Sequence, residues 1–154
     1  MSLSQLLKPD GVVAALRVNG KKQALQEMSE RAALVSGLTA REIFDAILQR
    51  ERLGSTGVGD GVAIPHGKIA KCASIFGVFA RLDRPIDFEA PDGLPVDLIF
   101  MLIAPEAAGA DHLKALATAA RLLRNGAVAA QLRGARDPAT LYALLTMAPT
   151  SNAA

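Results

Sequence analysis

The run Val96-Asp97-Leu98-Ile99-Phe100-Met101-Leu102-Ile103-Ala104 most limits what this chain can become. A strand with one wet face alternates polar and apolar residues, and this segment hardly alternates. Near-continuous apolar runs of this kind are central strands covered on both faces. Its apolar stretch is also far short of the ~20 residues that a membrane-crossing helix needs. The expectation is a sheet sandwiched between helices. Asp97 is the exception in the run; a hydrogen-bonded residue at the strand's start is a better reading than a catalytic carboxylate.

The other segments supply strands and covering layers. Val12 to Val18, Val62-Ala63-Ile64 and Ile75 to Leu82 read as strands, with Pro65 stopping the second and a polar loop following the third through Pro95. Residues 2–8 suggest a short helix and Pro9-Asp10-Gly11 a turn. A long helix opens after Asn19-Gly20 and runs to about Ser36, with Leu25, Met28, Ala32 and Val35 at helical spacing. Thr39-Ala40-Arg41-Glu42 is a capping-box pattern for the next helix. There Ile43, Ile47 and Arg50 share one stripe, and Arg50 falls in the last turn, where a cation complements the dipole. Its alternative is a guanidinium that snorkels into solvent.

Asp111 reads as the N-cap of a helix to about Arg124, with Leu113, Leu116, Ala117, Ala120 and Leu123 as the apolar stripe. That puts His112 in a first helical turn, where backbone amides favour an anion. Asn125-Gly126 breaks the chain before a short alanine-rich helix. Asp137-Pro138 then starts a last helix carrying Leu141, Leu144 and Leu145. Strands interleaved with helices make the class α/β with helices on both faces of the sheet.

At 154 residues the chain suits one domain, expected over residues 1–148 with 149–154 as a disordered tail. The formal charge of +2 is spread along the sequence, which argues against a nucleic-acid partner. The single cysteine, Cys72, allows no intrachain disulfide and fits a reducing compartment. The first residues lack a signal-peptide core. A cytoplasmic protein without membrane insertion is expected.

Chemistry concentrates in Gly54-Ser55-Thr56-Gly57-Val58-Gly59-Asp60-Gly61-Val62-Ala63-Ile64-Pro65-His66-Gly67-Lys68. Glycines let backbone amides approach a ligand closely, and successive amides make a concavity suited to phosphate. His66 follows directly, placed by Pro65 just beyond a strand end, where open α/β sheets carry their sites. Known nucleotide loops fail on spacing. A Walker loop ending at Gly67-Lys68 needs glycine where Val62 stands and Ser or Thr where Ile69 stands. The dinucleotide pattern fails as well, since Gly61 is followed by Val62 and the loop precedes a strand. His66, Cys72 and His112 show no zinc-ligand spacing, and no metal is expected. Ser55, His66 and Asp97 supply the residue types of a hydrolase without its nucleophile elbow. On residue type alone, a turn histidine satisfied by backbone remains open for His66.

That stretch closely resembles the IIA components of the bacterial phosphoenolpyruvate phosphotransferase system, fructose/mannitol class, with the nitrogen-regulatory branch nearest. Pro85-Ile86-Asp87-Phe88, Pro95-Val96-Asp97-Leu98 and His112-Leu113-x-x-Leu116-Ala117 extend the likeness over roughly residues 5 to 145. The resemblance implies a three-layer sandwich with a mixed, mostly parallel sheet. It implies that His66 is phosphorylated on Nε2 by a small histidine-containing phosphocarrier protein (HPr-like). His112 is then the second site histidine, hydrogen-bonding the phosphate, and Arg50 the arginine that neutralises its charge. Gly57, Gly59, Gly61 and Gly67 are expected to offer amides to the group, and no cofactor is needed. Lys68 reads as a solvated charge.

Asp60 and Asp111 depart from the family pattern and would repel a phosphoryl group if they faced it. Two roles follow from the resemblance: regulation of partner proteins by phosphorylation state, or sugar transport by passing the group to a fructose/mannitol-type IIB protein. A domain standing alone, without a fused IIB, membrane or carrier domain, is the expectation, and that favours regulation modestly. A binding module that is never phosphorylated is argued against by His66, His112 and Arg50 occurring together.

Overall fold

The computed structural model describes residues 1–147, so the tail expected at 149–154 lies outside the described residues. Its frame is a six-stranded sheet in the order β1 (Leu7–Leu16), β5 (Phe76–Ile86), β6 (Val96–Ala104), β3 (Val62–Ala63), β2 (Gly57–Gly59), with β4 (His66–Lys68) also on β6. The sheet is mixed. β1 is parallel to β5, and β3 and β4 are parallel to β6, whereas β5 with β6 and β2 with β3 are antiparallel.

The apolar run is the central strand, as its composition demands. Leu98, Phe100 and Leu102 point into one core and Ile99, Met101 and Ile103 into the other, the alternation that a pleated strand imposes. Helices α1 (Lys21–Ser36) and α2 (Ala40–Glu51) cover the second face, through Leu25, Met28, Ile43 and Ile47. Helices α3 (Ala110–Leu123), α4 (Gly126–Gly134) and α5 (Pro138–Met147) cover the first, through Ala115, Ala119, Leu132 and Leu141. The three-layer α/β architecture follows.

Local signals set several helix ends. Thr39 accepts from the Glu42 amide at 3.1 Å while the Glu42 carboxylate accepts from the Thr39 N–H, so the capping box closes. Asn125 accepts from the amides of Ala127 and Val128, and Asp137 from the amide and hydroxyl of Thr140. Asp97 lies at the start of β6 and accepts from Arg133 Nε at 2.9 and 3.0 Å, the hydrogen-bonded role expected for it.

Four local expectations are corrected. Only Leu3–Gln5 is helical near the start, as a 3-10 turn, and Pro9-Asp10-Gly11 lies inside β1. That strand has a register irregularity between Leu7 and Val12, and such an irregularity is where proline is tolerated. Strand β5 runs on to Ile86, past Leu82, through a second irregularity opposite β6. Asp111 is not the cap of α3: Gly109 holds that position with φ of 51°, and Asp111 stands exposed in the first turn.

The buried face of α3 is also rotated from the expected stripe. Ala115, Ala119 and Leu123 face the sheet together with His112, while Leu113 is 67% exposed. Two alanines let this helix approach the sheet closely, and that approach draws the histidine inward.

Candidate phosphoryl site

Proline interrupts the strand leading to His66 without ending it. Val62 pairs with Leu98, Ala63 with Ile99 and His66 with Leu102, so the register along β6 is unbroken. Pro65 has no N–H to give the ladder, yet its carbonyl still accepts from Leu102 at 2.9 Å. His66 therefore begins β4, where it was expected just past a strand end.

Gly67 fixes the neighbouring layer. A Cβ there would come 3.3 Å from three atoms of Ala46, so a glycine lets β4 lie this close to α2 without displacing it. Gly67 thus faces α2, and the pleat turns His66 to the opposite face. His112, from the first turn of α3, meets it with ring centroids 5.5 Å apart and planes tilted by 57°. Arg50 arrives from the end of α2 and donates from Nη1 to the Gly54 carbonyl at 3.0 Å. These groups, with Ala46, Gln49, Leu53 and Lys68, line an open cleft of about 410 Å³.

The tautomer of His66 follows from its partner. Nδ1 lies 2.9 Å from the carbonyl oxygen of Ile64, which only accepts. Nδ1 therefore carries the proton, and Nε2 keeps its lone pair. Burial lowers the pKa of His66 from its ordinary 6.5; the Ile64 carbonyl opposes this, Arg50 adds to the lowering, and Glu51 opposes it. Burial likewise lowers the pKa of His112, aided by the charges of His66 and Lys68. Nδ1 of His112 is buried with no hydrogen-bond partner among the described residues. The imidazole pair is thus held neutral at neutral pH, which preserves nucleophilic character.

A measurable sign follows. The folded state binds fewer protons on these rings than the unfolded chain does, so their contribution to stability is complete above about pH 6.5. It falls as pH drops from there through the lowered folded values. NMR titration of the His66 ring is expected to give a midpoint below 6.5; a midpoint at or above that value would refute the neutral, desolvated ring.

The remaining candidates are elsewhere. Gly57, Gly59 and Gly61 do not reach the cleft. They form the β2–β3 hairpin, whose strand β3 pairs with the opposite end of β6 from His66. Gly59, Asp60 and Gly61 all have positive φ, which is what this tight reversal requires. A Cβ on Gly61 would collide with the Arg133 guanidinium. Of the four glycines expected to offer amides, only Gly67 lines the cleft.

Asp60 belongs to the same hairpin, its carbonyl accepting from Arg133 Nη2, and neither it nor Asp111 lines the cleft. The hydrolase trio is dispersed as well, since Ser55 Oγ donates to the Phe88 carbonyl and Asp97 pairs with Arg133. Cys72 is buried, with its thiol donating to the Ser74 carbonyl at 3.1 Å. Among the described residues no cluster of three or more His, Cys, Asp or Glu has a metal-holding arrangement. None of their helices is long and apolar enough to cross a membrane.

Sequence reasoning missed Glu51, Thr56 and Lys21, which meet in a buried polar knot behind Arg50. The available signal was an acid closing a helix and a lysine opening one, both against the dipole.

A three-layer α/β fold that gathers two imidazoles and a guanidinium in one cleft makes a site whose chemistry suits an anionic group. A profile of the family described as phosphoenolpyruvate-dependent sugar phosphotransferase system, EIIA 2, matches residues 5–148, and the chain belongs to that family. Within it the likeness is to the nitrogen-regulatory type. A nitrogen regulatory protein of Bradyrhizobium diazoefficiens is 56% identical over 99% of this chain and 100% of its own length. One from Klebsiella oxytoca is 39% identical, over 100% of this chain and 96% of its own. The crystal structure of nitrogen regulatory protein IIA-Ntr from Neisseria meningitidis superposes with a TM-score of 0.87 at 36% identity, covering 92% of this chain and 97% of that one.

Proposed function

We propose that this phosphotransferase-system component carries a phosphoryl group on Nε2 of His66 and regulates partner proteins by its phosphorylation state. The observation that carries the reading is the hydrogen bond from His66 Nδ1 to the Ile64 carbonyl. It leaves Nε2 as the atom with a free electron pair in a cleft shared with Arg50 and His112.

The donor is the phosphohistidine of a small phosphocarrier protein. The Nε2 lone pair forms a bond to phosphorus while the donor's N–P bond breaks, and the donor nitrogen recovers the electron pair. Nδ1 keeps its proton, donated in a hydrogen bond to the Ile64 carbonyl, throughout, so His66 needs no general base. Phosphoryl transfer asks a protein chiefly for alignment and charge stabilisation. Arg50 supplies the charge, and His112 donates a hydrogen bond to a phosphoryl oxygen. The product adds about −1.5 to −2 charges at one surface spot, enough to change which partner docks.

Incubation with phosphoenolpyruvate, the first phosphotransferase enzyme and the carrier protein is expected to add one acid-labile phosphate by intact mass. No gain would overturn the assignment. Replacement of His112 by alanine is expected to slow transfer roughly a hundredfold, as for loss of one preorganised donor, with His66 still modified. Unchanged kinetics would remove His112 from the site. Affinity capture with each phospho-form decides between regulation and sugar transport. Recovery of a IIB protein as the partner of the phosphorylated form would favour transport.

A further inference from the structure

Lys21 is the first residue of α1 and Glu51 the last of α2. Each carries the charge that its helix end disfavours. They satisfy one another instead: Lys21 Nζ lies 2.9 Å from Glu51 Oε1 and 4.7 Å above the Phe88 ring centre. The Glu51 side chain is only 2% exposed. Burying an ion pair costs desolvation that its attraction often fails to exceed. An arrangement that defies local preference for little gain in stability belongs, as a rule, to a functional site.

What Glu51 holds is the turn that follows its own helix. The Thr56 amide donates to Oε1 at 3.2 Å, and the Thr56 hydroxyl donates to Oε2. Both carboxylate oxygens are thus committed to one residue beyond the turn. Inside the turn, Gly54 donates its amide to the Glu51 carbonyl at 3.1 Å. Its own carbonyl accepts from Arg50 Nη1. Gly54 has φ of 149°, a conformation open to glycine and strained for other residues. A long arginine side chain is pinned by a carbonyl whose place Glu51 and Thr56 determine.

We propose that Lys21, Glu51 and Thr56 form a positioning device for the phosphoryl site, fixing the Gly54 carbonyl so that Arg50 stands ordered in the cleft before the phosphoryl group arrives. The inference rests on the proposed roles of His66 and Arg50. None of the three lines the cleft; apart from the Glu51 charge that His66 feels, they act on the site through Arg50.

Two readouts test this, one independent of phosphate. In the unmodified protein the heteronuclear NOE of the Arg50 Nε–H reports the order of the side chain. It is expected to be high in the wild type, to fall in Thr56→Val and Glu51→Gln, and to recover in Thr56→Ser. In transfer assays Thr56→Val is expected to slow uptake on the order of tenfold, since small misplacements of a charge partner are costly. Thr56→Ser restores the rate, and Thr56→Val adds nothing further in an Arg50→Ala background.

An unchanged NOE in Thr56→Val overturns the device, and so do rate losses that multiply in the double variant. Thr56→Val is nearly isosteric, so it carries the test even if Glu51→Gln does not fold. A wild-type protein that accepts no phosphate defeats the proposed function instead, and the NOE then judges the positioning device by itself.

Discussion

His66→Ala protein, incubated with the complete phosphoryl-donor chain, is expected to show no acid-labile gain in mass. The effect is total because the proposed covalent acceptor is removed and no equivalent imidazole stands in its place. His112 is the other imidazole in the cleft, but it is buried to 6% exposure, and its Nδ1 has no hydrogen-bond partner among the described residues. No carbonyl fixes its tautomer as Ile64 does for His66. Phosphate recovered on the alanine variant would move the acceptor elsewhere, with His112 the first position to map. Circular dichroism of the variant should match the wild type, since His66 is only half-buried. Loss of uptake then reports chemistry and not unfolding.

Phe100→Ala is expected to lower the unfolding free energy by about 3–5 kcal/mol, the range for emptying a buried aromatic site. Against a total of roughly 5–15 kcal/mol for a domain, that removes a large share. Phe100 is fully buried at the middle of β6, in a tilted contact with Phe79 at 6.5 Å between centroids. Opposite its ring is Gly77, where even a Cβ would collide with Phe100. Glycine has no side chain to swing into the vacated volume, so the cavity would persist. Urea unfolding followed by circular dichroism measures the loss, and a change below about 1.5 kcal/mol would mean that the site collapses. Leu34, 80% exposed on α1, is the control, with Leu34→Ala expected within about 0.5 kcal/mol of wild type.

Much of the frame was legible because it follows from short-range periodicity. The uninterrupted apolar run marked β6 as doubly covered, and the spacing of Leu25, Met28 and Ala32 marked the buried face of α1. The capping box at Thr39 and the proline after Asp137 gave helix starts that the backbone honours. Errors arose where one residue type has two uses. Proline at positions 9 and 65 reads as a terminator, yet a register irregularity in β1 tolerates the first. At the second an available carbonyl keeps β4 on the ladder of β6.

The sequence by itself determined the layers, and its resemblance to the family proposed the candidate acceptor and two residues to assist it. His66, Arg50 and His112 were named as site residues by the resemblance that their motifs carry; residue type alone left a turn histidine and a snorkelling arginine open. Tertiary structure alone decided how they meet. Their convergence depends on the pleat of β4, the contact of Gly67 with Ala46 and the close approach of α3 through its alanines. Gly57, Gly59 and Gly61, which precede His66 in sequence, were carried away from it, since an extended strand moves the chain ~3.3 Å per residue. Glu51, distant from Lys21 in the chain, was brought against it by the packing of α1 on α2. Buried electrostatic partners depend on which helix ends touch, and no short-range pattern encodes that.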